Sequence, residues 1–535
     1  MGLSFNPRRP ILVILVLSLA VIPCFAQRKN AEDHKRATLA VRTRLVEINV
    51  VVEDKNGNPV SGLTQKDFTV LDNGHLQGTS FFSATAGTAS GDPLDLPSDF
   101  YTNALNAHGG VPPSITVVLL DGLNTALSDQ AYARDQVIKY LQTIHPQDHI
   151  ALYALGEKLT VVHDFTTDAS SLFSALSHYD GNAASTLRAP QASRISGPGP
   201  VAQLNSFIAD VNRNSVAFFS VDRTEMTLDA LNAIARHVEG LPGRKSLIWV
   251  VGNVPFSFRF DNRGTVLLTP MERFSHDPVM QTEQLLADAD VALYPVDARG
   301  LMAETPGWGN VFAMQDLAKQ TGGRAFYNTN DIMTSIQRAV TDGDYSYVLG
   351  YYPDHSDWKG EFRKIKVKVD RPGLKVRARQ GYFAIPGLHE KIKDLQQRLG
   401  RIAMSPLDAS GISMTARIVP IPTNAAREIR LTLGFDPRGV QFTADAGREA
   451  ATLQYALLQL DRTGKILTAV ENPLPINIST AEYTLGTRQG VSFSVTTPLF
   501  SQAAELSVIL RDPATGAAGS LHIPLGKYQM DAKSQ

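Results

Sequence analysis

The sequence contains one cysteine, Cys24, among its 535 residues. It follows a basic start, Arg8 and Arg9, and the apolar run ILVILVLSLAVI. This order, with the small residue Ala26 at the end, is typical of a secretory signal peptide and predicts removal of residues 1–26. We therefore expect a mature chain without a thiol, which excludes disulfides and thiolate metal ligands and leaves its stability to core burial.

Neither sign of charge predominates, since Lys and Arg number 51 and Asp and Glu number 52. A net charge near zero creates no field that would draw nucleic acid, so we predict no nucleic-acid partner. Later apolar runs are too short for a membrane helix, which predicts no integral membrane span after signal cleavage. The expected product is exported, and is periplasmic, on the outer surface or extracellular.

Period-two patterns predict a small N-terminal β module over residues 41–84, after a polar linker at 27–40. Val46, Ile48 and Val50 alternate with polar residues, as in a strand with one buried face. Residues 85–113 are rich in Gly, Pro, Ser and Asn and are predicted to be a linker. A second strand-like region, 345–384, is predicted to be a β hairpin region that packs on this module.

Strands alternate with helices over residues 114–344, which predicts an α/β domain with a doubly wound, mostly parallel, six-stranded sheet. SITVVLL is the first predicted strand, and GGRAFYN is the last. Ser128 is predicted to cap the first helix. Two segments, 180–214 and 254–277, could each be a mobile rim loop or a disordered insertion.

The C-terminal third is predicted to be mostly β structure. Residues 385–410 indicate a helical linker, and 529–535 a tail. Between them, residues 411–528 contain short period-two strands separated by turns such as DRTG and DPATG. This spacing predicts an immunoglobulin- or fibronectin-like β-sandwich, a type of module that serves as a spacer or a binding surface.

Open α/β sheets bind ligands at the carboxyl ends of their strands. Over residues 115–345 the sequence resembles von Willebrand factor A-like domains. The motifs PPSITVVLLDGLNT, DVALYPVDARGL, LAKQTGGRAFYNTNDI and YSYVLGYYPDHSDWKGEFRKIKVKVD are similar to those of an exported acidobacterial family with a divergent domain of this type, over residues 41–384. This resemblance implies a rim that binds a protein or peptide, with predicted residues Asp121, Asn124, Thr125, Thr224 and Asn253.

The resemblance also implies a metal-ion-dependent adhesion site. Such domains place D-x-S-x-S after the first strand, a threonine before the third helix and an aspartate after the fourth strand. Here Asp121 and Thr125 match, whereas Leu123 replaces a serine and Gly252 replaces the second aspartate. Because hard cations require several oxygen ligands, these losses predict a degenerate site without a cofactor. Weak Mg²⁺ or Mn²⁺ binding at a rearranged site of Asp121, Thr125 and Thr224 remains the alternative.

Catalytic motifs are lacking as well. The predicted mature sequence contains no nucleophile elbow, His-Glu-x-x-His helix, phosphate loop or Cys-His pair. Adjacent pairs such as His163 and Asp164 point to opposite faces of a strand. We therefore predict a non-enzymatic protein-binding or adhesion protein. Two alternatives remain: an architectural cell-envelope component that binds through its β modules, and a cation-dependent adhesin. The sequence leaves the partner's identity and the oligomeric state open.

Overall fold

The computed structural model describes residues 45–84, 97, 99–104, 114–145, 148–179, 221–241, 243–256, 270–301, 308–354, 361–384, 392–421 and 428–530. The predicted signal peptide and polar linker lie outside the described residues. So do residues 180–214 of the first uncertain segment and residues 257–269 of the second. The described residues form an α/β domain, a β module and a β-sandwich.

The sheet of the α/β domain has five strands: β6 (Ser114–Asp121), β7 (His149–Leu155), β8 (Leu159–Thr166), β9 (Arg244–Val251) and β10 (Val291–Asp297). Their order across the sheet is β10-β9-β6-β7-β8. All neighbours are parallel except β7 and β8, which are antiparallel. β6, β7, β9 and β10 are almost continuously apolar and buried, as expected for strands with helices on both faces. β6 is the central strand.

The described helices of this domain are α1 (Leu127–Leu141), α2 (Ala169–His178), α3 (residues 221–238), α4 (Pro270–Asp288), α5 (Trp308–Thr321) and α6 (Ile332–Asp344). Successive β6 residues point to opposite faces. Val117 and Leu119 pack with α3, α4 and α5, whereas Val118 packs with α1, α2 and α6. The predicted cap Ser128 lies inside α1, and the N-cap position is Ala126, which has no side-chain bond.

The predicted sixth strand is reduced to one parallel bridge, between Phe326 and Val296. Two backbone features explain the difference. Gly322 and Asn328 both have positive φ, 76° and 53°, so the chain turns before and after the bridge. Gly323 lies so near β10 that an added Cβ would be 1.9 Å from the Leu293 carbonyl oxygen. The segment therefore contacts the edge strand β10 through one bridge and does not form a full strand beside it.

The β module combines two distant parts of the sequence. Its first part supplies β1 (Val46–Glu53), β2 (Phe68–Asp72), β3 (His75–Gln77) and β4 (Thr79–Ala84), and its second part supplies β11 (Tyr347–Tyr351), β12 (Phe362–Val369), β13 (Lys375–Ala378) and β14 (Gly381–Phe383). The two sheets have the orders β13-β1-β11-β4 and β14-β12-β2-β3. Strands of the two parts alternate in the first sheet, and in the second sheet β12 of one part pairs with β2 of the other. The lysines of β12 face solvent.

Charged side chains join this module to the α/β domain. Glu53 accepts hydrogen bonds from Arg377 at 2.8 Å and from Arg324. Asn49 of β1 donates to the carboxylate of Asp290, the residue before β10, at 2.8 Å. Charge-assisted bonds of this kind hold well-defined geometry, so they fix the position of the module on the domain.

The β-sandwich has one sheet of β5 (Phe100–Thr102), β15 (Met414–Ile421), β16 (Glu428–Phe435) and β20 (Val491–Pro498), and another of β17 (Thr443–Asp445), β18 (Arg448–Leu460), β19 (Ile466–Ser479), β21 (Glu505–Arg511) and β22 (Ala518–Pro524). β5 lies in the predicted 85–113 linker. It pairs with β15, and the buried Asn103 after it donates to the carbonyl oxygens of Ala409 and Ile412. Pairing with β15 therefore makes residues 100–102 of the predicted linker a strand.

Three further helices belong to the C-terminal part: α7 (Ile392–Ala403), α8 (Thr480–Gln489) and α9 (Gly526–Met530). α7 lies in the predicted helical linker and packs its apolar face on the outside of β18 and β21. α8 begins with a capping box in which Ser479 and Glu482 bond each other's backbone N–H groups. No helix in the described part of the chain has the length and apolarity needed to cross a bilayer.

Candidate functional site

The candidate site lies at the carboxyl edge of the α/β sheet, where β6 ends at Asp121. Because β6 is central, the loops after β7, β9 and β10 surround this position. Asp121 is only 3% exposed, although it is an acidic residue. Buried carboxylates require hydrogen-bond donors, so the donors around Asp121 decide what it can do.

Both oxygens of Asp121 accept hydrogen bonds from neutral donors. The backbone N–H of Asn124 donates to Oδ1 at 2.8 Å. The Asn124 side-chain amide donates to Oδ2 at 2.8 Å, and the Trp249 indole N–H donates to the same oxygen at 2.9 Å. Burial raises the pKa of Asp121 to about 6, and the bonds from Asn124 and Trp249 oppose that rise.

Asn124 connects three elements. Its side-chain amide also donates to the Thr227 hydroxyl at 2.8 Å, and this hydroxyl in turn donates to the Arg223 carbonyl oxygen at 2.7 Å. Its own carbonyl oxygen accepts from the Asn253 N–H at 3.0 Å. The loop after β6 is thus bonded to α3 and to the loop after β9.

Two threonines that were predicted as metal ligands also use their hydroxyl groups in hydrogen bonds within the fold. Thr125 Oγ1 accepts from the Gly252 N–H at 2.8 Å. An added Cβ on Gly252 would lie 3.3 Å from both Cα and Cγ2 of Thr125, so the two loops are in close contact. Thr224 Oγ1 donates to the Pro255 carbonyl oxygen at 3.1 Å. Both hydroxyls therefore connect loops within the fold.

This donor set does not fit a divalent cation. Leu123, at a position where a hydroxyl ligand is expected, is fully buried in the core. Gly252 offers no side chain, and the Asp121 oxygens face N–H groups whose hydrogens would meet an incoming ion. In the described residues, no group of three or more His, Cys, Asp or Glu residues could hold a metal. A cation requires several oxygen lone pairs that are directed at one point. Here the Asp121 oxygens instead accept hydrogen bonds from N–H groups.

Of the five predicted rim residues, four are buried and only Asn253 is exposed. The exposed side chains of this edge include apolar ones that the sequence interpretation missed. Leu127 and Leu301 are 54% and 59% exposed, and Phe312 and Tyr327 are also exposed. Their shared signal was available in the sequence, since each follows shortly after a loop at the carboxyl edge of the sheet or begins a helix there.

Hydrogen bonds brace the loops that carry these apolar residues. Asn330 Oδ1 accepts from the Leu301 N–H at 2.8 Å, and the Asn330 carbonyl oxygen accepts from the Tyr132 hydroxyl. The Gln315 amide donates to the Tyr327 hydroxyl at 2.6 Å. In the loop after β9, Asn310 Oδ1 accepts from the Val254 N–H at 2.7 Å. The rim is a set of cross-linked loops.

Two buried residues outside the predicted rim set hold the site together, Trp249 and Thr227. Leu119 of β6 is the register partner of Trp249 in β9, so the indole lies two residues from Asp121 on the neighbouring strand. A tryptophan in a buried strand needs an acceptor for its N–H, and an aspartate at the end of another strand is a suitable one. Pairing the two from sequence would have required knowledge of the register.

The imidazoles near carboxylates have structural partners. His163 Nδ1 bonds the carbonyl oxygen of Asp164 at 2.6 Å rather than its carboxylate. His522 bonds the Asp408 carboxylate through Nδ1 at 2.6 Å and the Ala403 carbonyl oxygen through Nε2 at 3.1 Å. With both ring nitrogens engaged, His522 connects β22 to the segment after α7.

No protein-family model and no curated protein sequence matches this chain. Among solved structures, the chain matches a von Willebrand factor type A protein from Catenulispora acidiphila at 9% identity and a TM-score of 0.23, over 81% of this chain and 74% of that one. Three N-terminal domains of the type V pili tip protein Mfa5 from Porphyromonas gingivalis match at 8% identity and a TM-score of 0.24, over 90% and 77%. An aerotolerance-related membrane protein from Bacteroides fragilis matches at 13% identity and 0.24, over 42% and 98%. Likenesses this distant leave the function to be argued from the site itself.

Proposed function

We propose that the protein is a non-enzymatic binding protein that captures a protein or peptide partner on the carboxyl edge of its α/β sheet. One observation carries this proposal: exposed apolar side chains lie on loops that are braced by hydrogen bonds. Apolar groups held in a fixed arrangement lose little entropy on binding, which favours a protein surface as the ligand.

In this proposal Asp121 acts through the loops and does not touch the partner. Its bonds to Asn124 and Trp249 set the path of the chain between β6 and Leu127. Asn253 is the predicted rim residue that can contact a partner directly, since it is exposed. Binding should therefore persist without Mg²⁺ or Mn²⁺, in contrast to a cation-dependent adhesin.

Capture of envelope proteins by tagged variants tests the proposal. The rim variant carries Leu127→Ser and Leu301→Ser, and the matched control carries Leu485→Ser in α8, where the leucine is similarly exposed at 53%. We expect the rim variant to retain less than about a tenth of the partner captured by the parent, because interface energy is concentrated in a few apolar anchors. The control should capture as much as the parent.

A second candidate function is an architectural component that binds through its β units. Val419, Leu485 and Phe500 on the β-sandwich are exposed, which favours this candidate. Loss of capture in the Leu485→Ser control, with the rim variant unchanged, would support it and contradict the rim. Capture that EDTA abolishes and Mg²⁺ restores only when Asp121 is present would instead support the cation-dependent adhesin.

A further inference from the structure

A cavity of about 410 Å³ lies at the opposite, amino edge of the same sheet. The last turns of α3 and α4 form one wall; these helices lead into the starts of β9 and β10, which places the wall at the amino edge. The start of β1, the link between β13 and β14, α7 and the turn at residues 514–517 form the rest. All three units therefore meet around it, and junctions between units are common ligand sites.

Arg379, in the link between β13 and β14, lines this cavity and is only 6% exposed. Its Nη2 donates to the carbonyl oxygen of Glu47. Its Nε and Nη1 have no hydrogen-bond partner in the structure, and the Asp288 carboxylate oxygen is 3.9 Å from Nη1. Buried guanidinium groups are normally bonded, so these two N–H donors lack an acceptor that a ligand could supply.

Further guanidinium groups lie on the other walls. Arg236 of α3 and Arg398 and Arg401 of α7 line the cavity. Burial lowers the pKa of Arg236 to about 10, Glu239 opposes this, and Arg398, Arg511 and Arg401 lower it further. Arg236 remains a cation at neutral pH, and the charged groups that act on it are one glutamate and three arginines. An anion in the cavity would relieve that repulsion.

Some acidic residues of the cavity walls are paired with an arginine or are only partly ionised. Asp229 pairs with Arg401 at 3.4 Å, where both side chains are about half exposed. Burial and the neighbouring Asp290 raise the pKa of Glu47 to about 7, so it carries only part of its charge at neutral pH. Lys245, buried behind the cavity, interacts with Asp290, Glu47 and Glu239. Glu239 and Asp288 also line the cavity, so four acidic residues accompany its four arginines. The place for an anion is therefore set by the N–H donors of Arg379 that lack a hydrogen-bond partner.

Apolar side chains complete the lining. Leu285 of α4, Ile402 of α7 and Leu407 after it face the cavity, together with Ala233 of α3. Drug-sized ligands occupy cavities of roughly 300–1,000 Å³ with mostly apolar walls and a few polar groups. We infer that this cavity binds a small organic oxyanion, a carboxylate or a phosphate ester, whose charged end is held by Arg379 and Arg236 and whose apolar body lies against α4 and α7.

Calorimetric titration of the full chain tests this assignment with four probes: phenyl phosphate, benzoate, inorganic phosphate and uncharged benzyl alcohol. We expect one molecule of phenyl phosphate or benzoate to bind per chain, and benzyl alcohol not to bind. In the Arg379→Gln variant the dissociation constant should rise at least about tenfold, because two charge-assisted donors are lost. Arg371→Gln is the matched control; this arginine pairs with Asp67 on the surface of the same module.

Ala233→Phe keeps every arginine and fills the cavity, so it decides the test even if Arg379→Gln does not fold. We expect it to abolish binding of phenyl phosphate and benzoate. The assignment is overturned if neither aromatic anion binds, or if both variants bind as tightly as the parent. It is also overturned if inorganic phosphate binds equally well to the parent and to Ala233→Phe, which indicates general anion attraction. Rim variants do not touch this cavity, so failure here leaves the proposed function standing.

Discussion

The two edges of the α/β sheet treat buried polar groups differently. At the carboxyl edge, Asp121 accepts from Asn124 and Trp249, and Thr125 accepts from Gly252. At the amino edge, Arg379 is also buried, yet its Nε and Nη1 have no hydrogen-bond partner in the structure. Both edges contain charged residues inside the protein, but the Asp121 oxygens have their hydrogen bonds, whereas Arg379 leaves bonding capacity unused.

The difference distinguishes buried polar groups that only stabilise the fold from buried polar groups that can still bond a ligand. A buried group whose bonds are complete stabilises the loops it joins, and a ligand must break those bonds to reach it. A buried donor without an acceptor costs folding free energy until something supplies one. The carboxyl edge therefore binds through its exposed apolar side chains, whereas the amino edge offers charge to a ligand. The predictions below test this comparison, beginning with the largest expected effect.

Removal of the Asp121 carboxylate should strongly destabilise the protein. We expect Asp121→Ala to lower the free energy of unfolding by about 3 to 4 kcal/mol, because the Trp249 and Asn124 N–H groups lose their acceptor in a buried site. Urea denaturation measures this. Asp135→Ala is the control, since that carboxylate is exposed and pairs only with Lys139; its cost should stay within about 0.5 kcal/mol. Equal costs would contradict a structural role for Asp121.

The raised pKa of Asp121 should make stability depend on pH. Its carboxyl group has a pKa of about 6 in the fold against an ordinary value of 3.8, so the folded state retains the proton to higher pH. This group's contribution to stability is therefore full below about pH 4 and falls as pH rises towards 7, by about 3 kcal/mol. Urea denaturation of the parent and of Asp121→Asn at pH 4, 5, 6 and 7 isolates this term. A parent-to-variant difference that stays constant with pH would refute it.

Restoring an acid after β9 should not restore a metal site. We expect Gly252→Asp to cost about 1 kcal/mol, since its Cβ would press on Thr125, and to give no heat with Mg²⁺ or Mn²⁺. Gly252→Ala is the control, because it adds the same Cβ without a carboxylate. Mg²⁺ binding by Gly252→Asp that disappears when Asp121→Ala is added would show that the Asp121 oxygens are available to a cation.

Two arginines near one another in sequence provide the closest test of the comparison. Arg379→Met should change the free energy of unfolding by less than about 1 kcal/mol, because the lost bond to Glu47 is offset by removal of an incompletely bonded cation. Arg377→Met is the control; it leaves Glu53 with one partner fewer and should cost about 3 kcal/mol. Thermal or urea unfolding measures both. A similar loss in both variants would mean that Arg379 is satisfied within the fold.

Much of the fold follows from local patterns in the sequence. Apolar strands alternating with helices indicate the α/β domain, because burial on both faces of a parallel sheet requires them. The exceptions depend on backbone or distant contacts. Positive φ at Gly322 and Asn328 shortens the predicted sixth strand, and β8 runs antiparallel. β5 arises because residues 100–102 pair with β15, about 300 residues later in the sequence.

The site was harder to predict than the fold. Position alone places Asp121 at the carboxyl edge of the sheet, and the sequence shows that Gly252 offers no ligand. The sequence does not show which donor bonds which acceptor. Trp249 reaches Asp121 through strand register, and Asn124 reaches Thr227 across 103 residues. The arginine cavity is harder still to predict from the sequence, because its walls come from six distant segments that meet only in the assembled molecule.

The pairing of β5 with β15 has a consequence for the order in which the molecule is completed. A segment made early in synthesis, residues 100–102, finds its neighbour only after residues 414–421 have emerged. Until then, the hydrogen-bonding groups along β5 have no strand beside them. Contacts between segments so far apart in sequence form slowly. We therefore expect β5 to become ordered only when β15 does, so that this sheet of the β-sandwich is completed late.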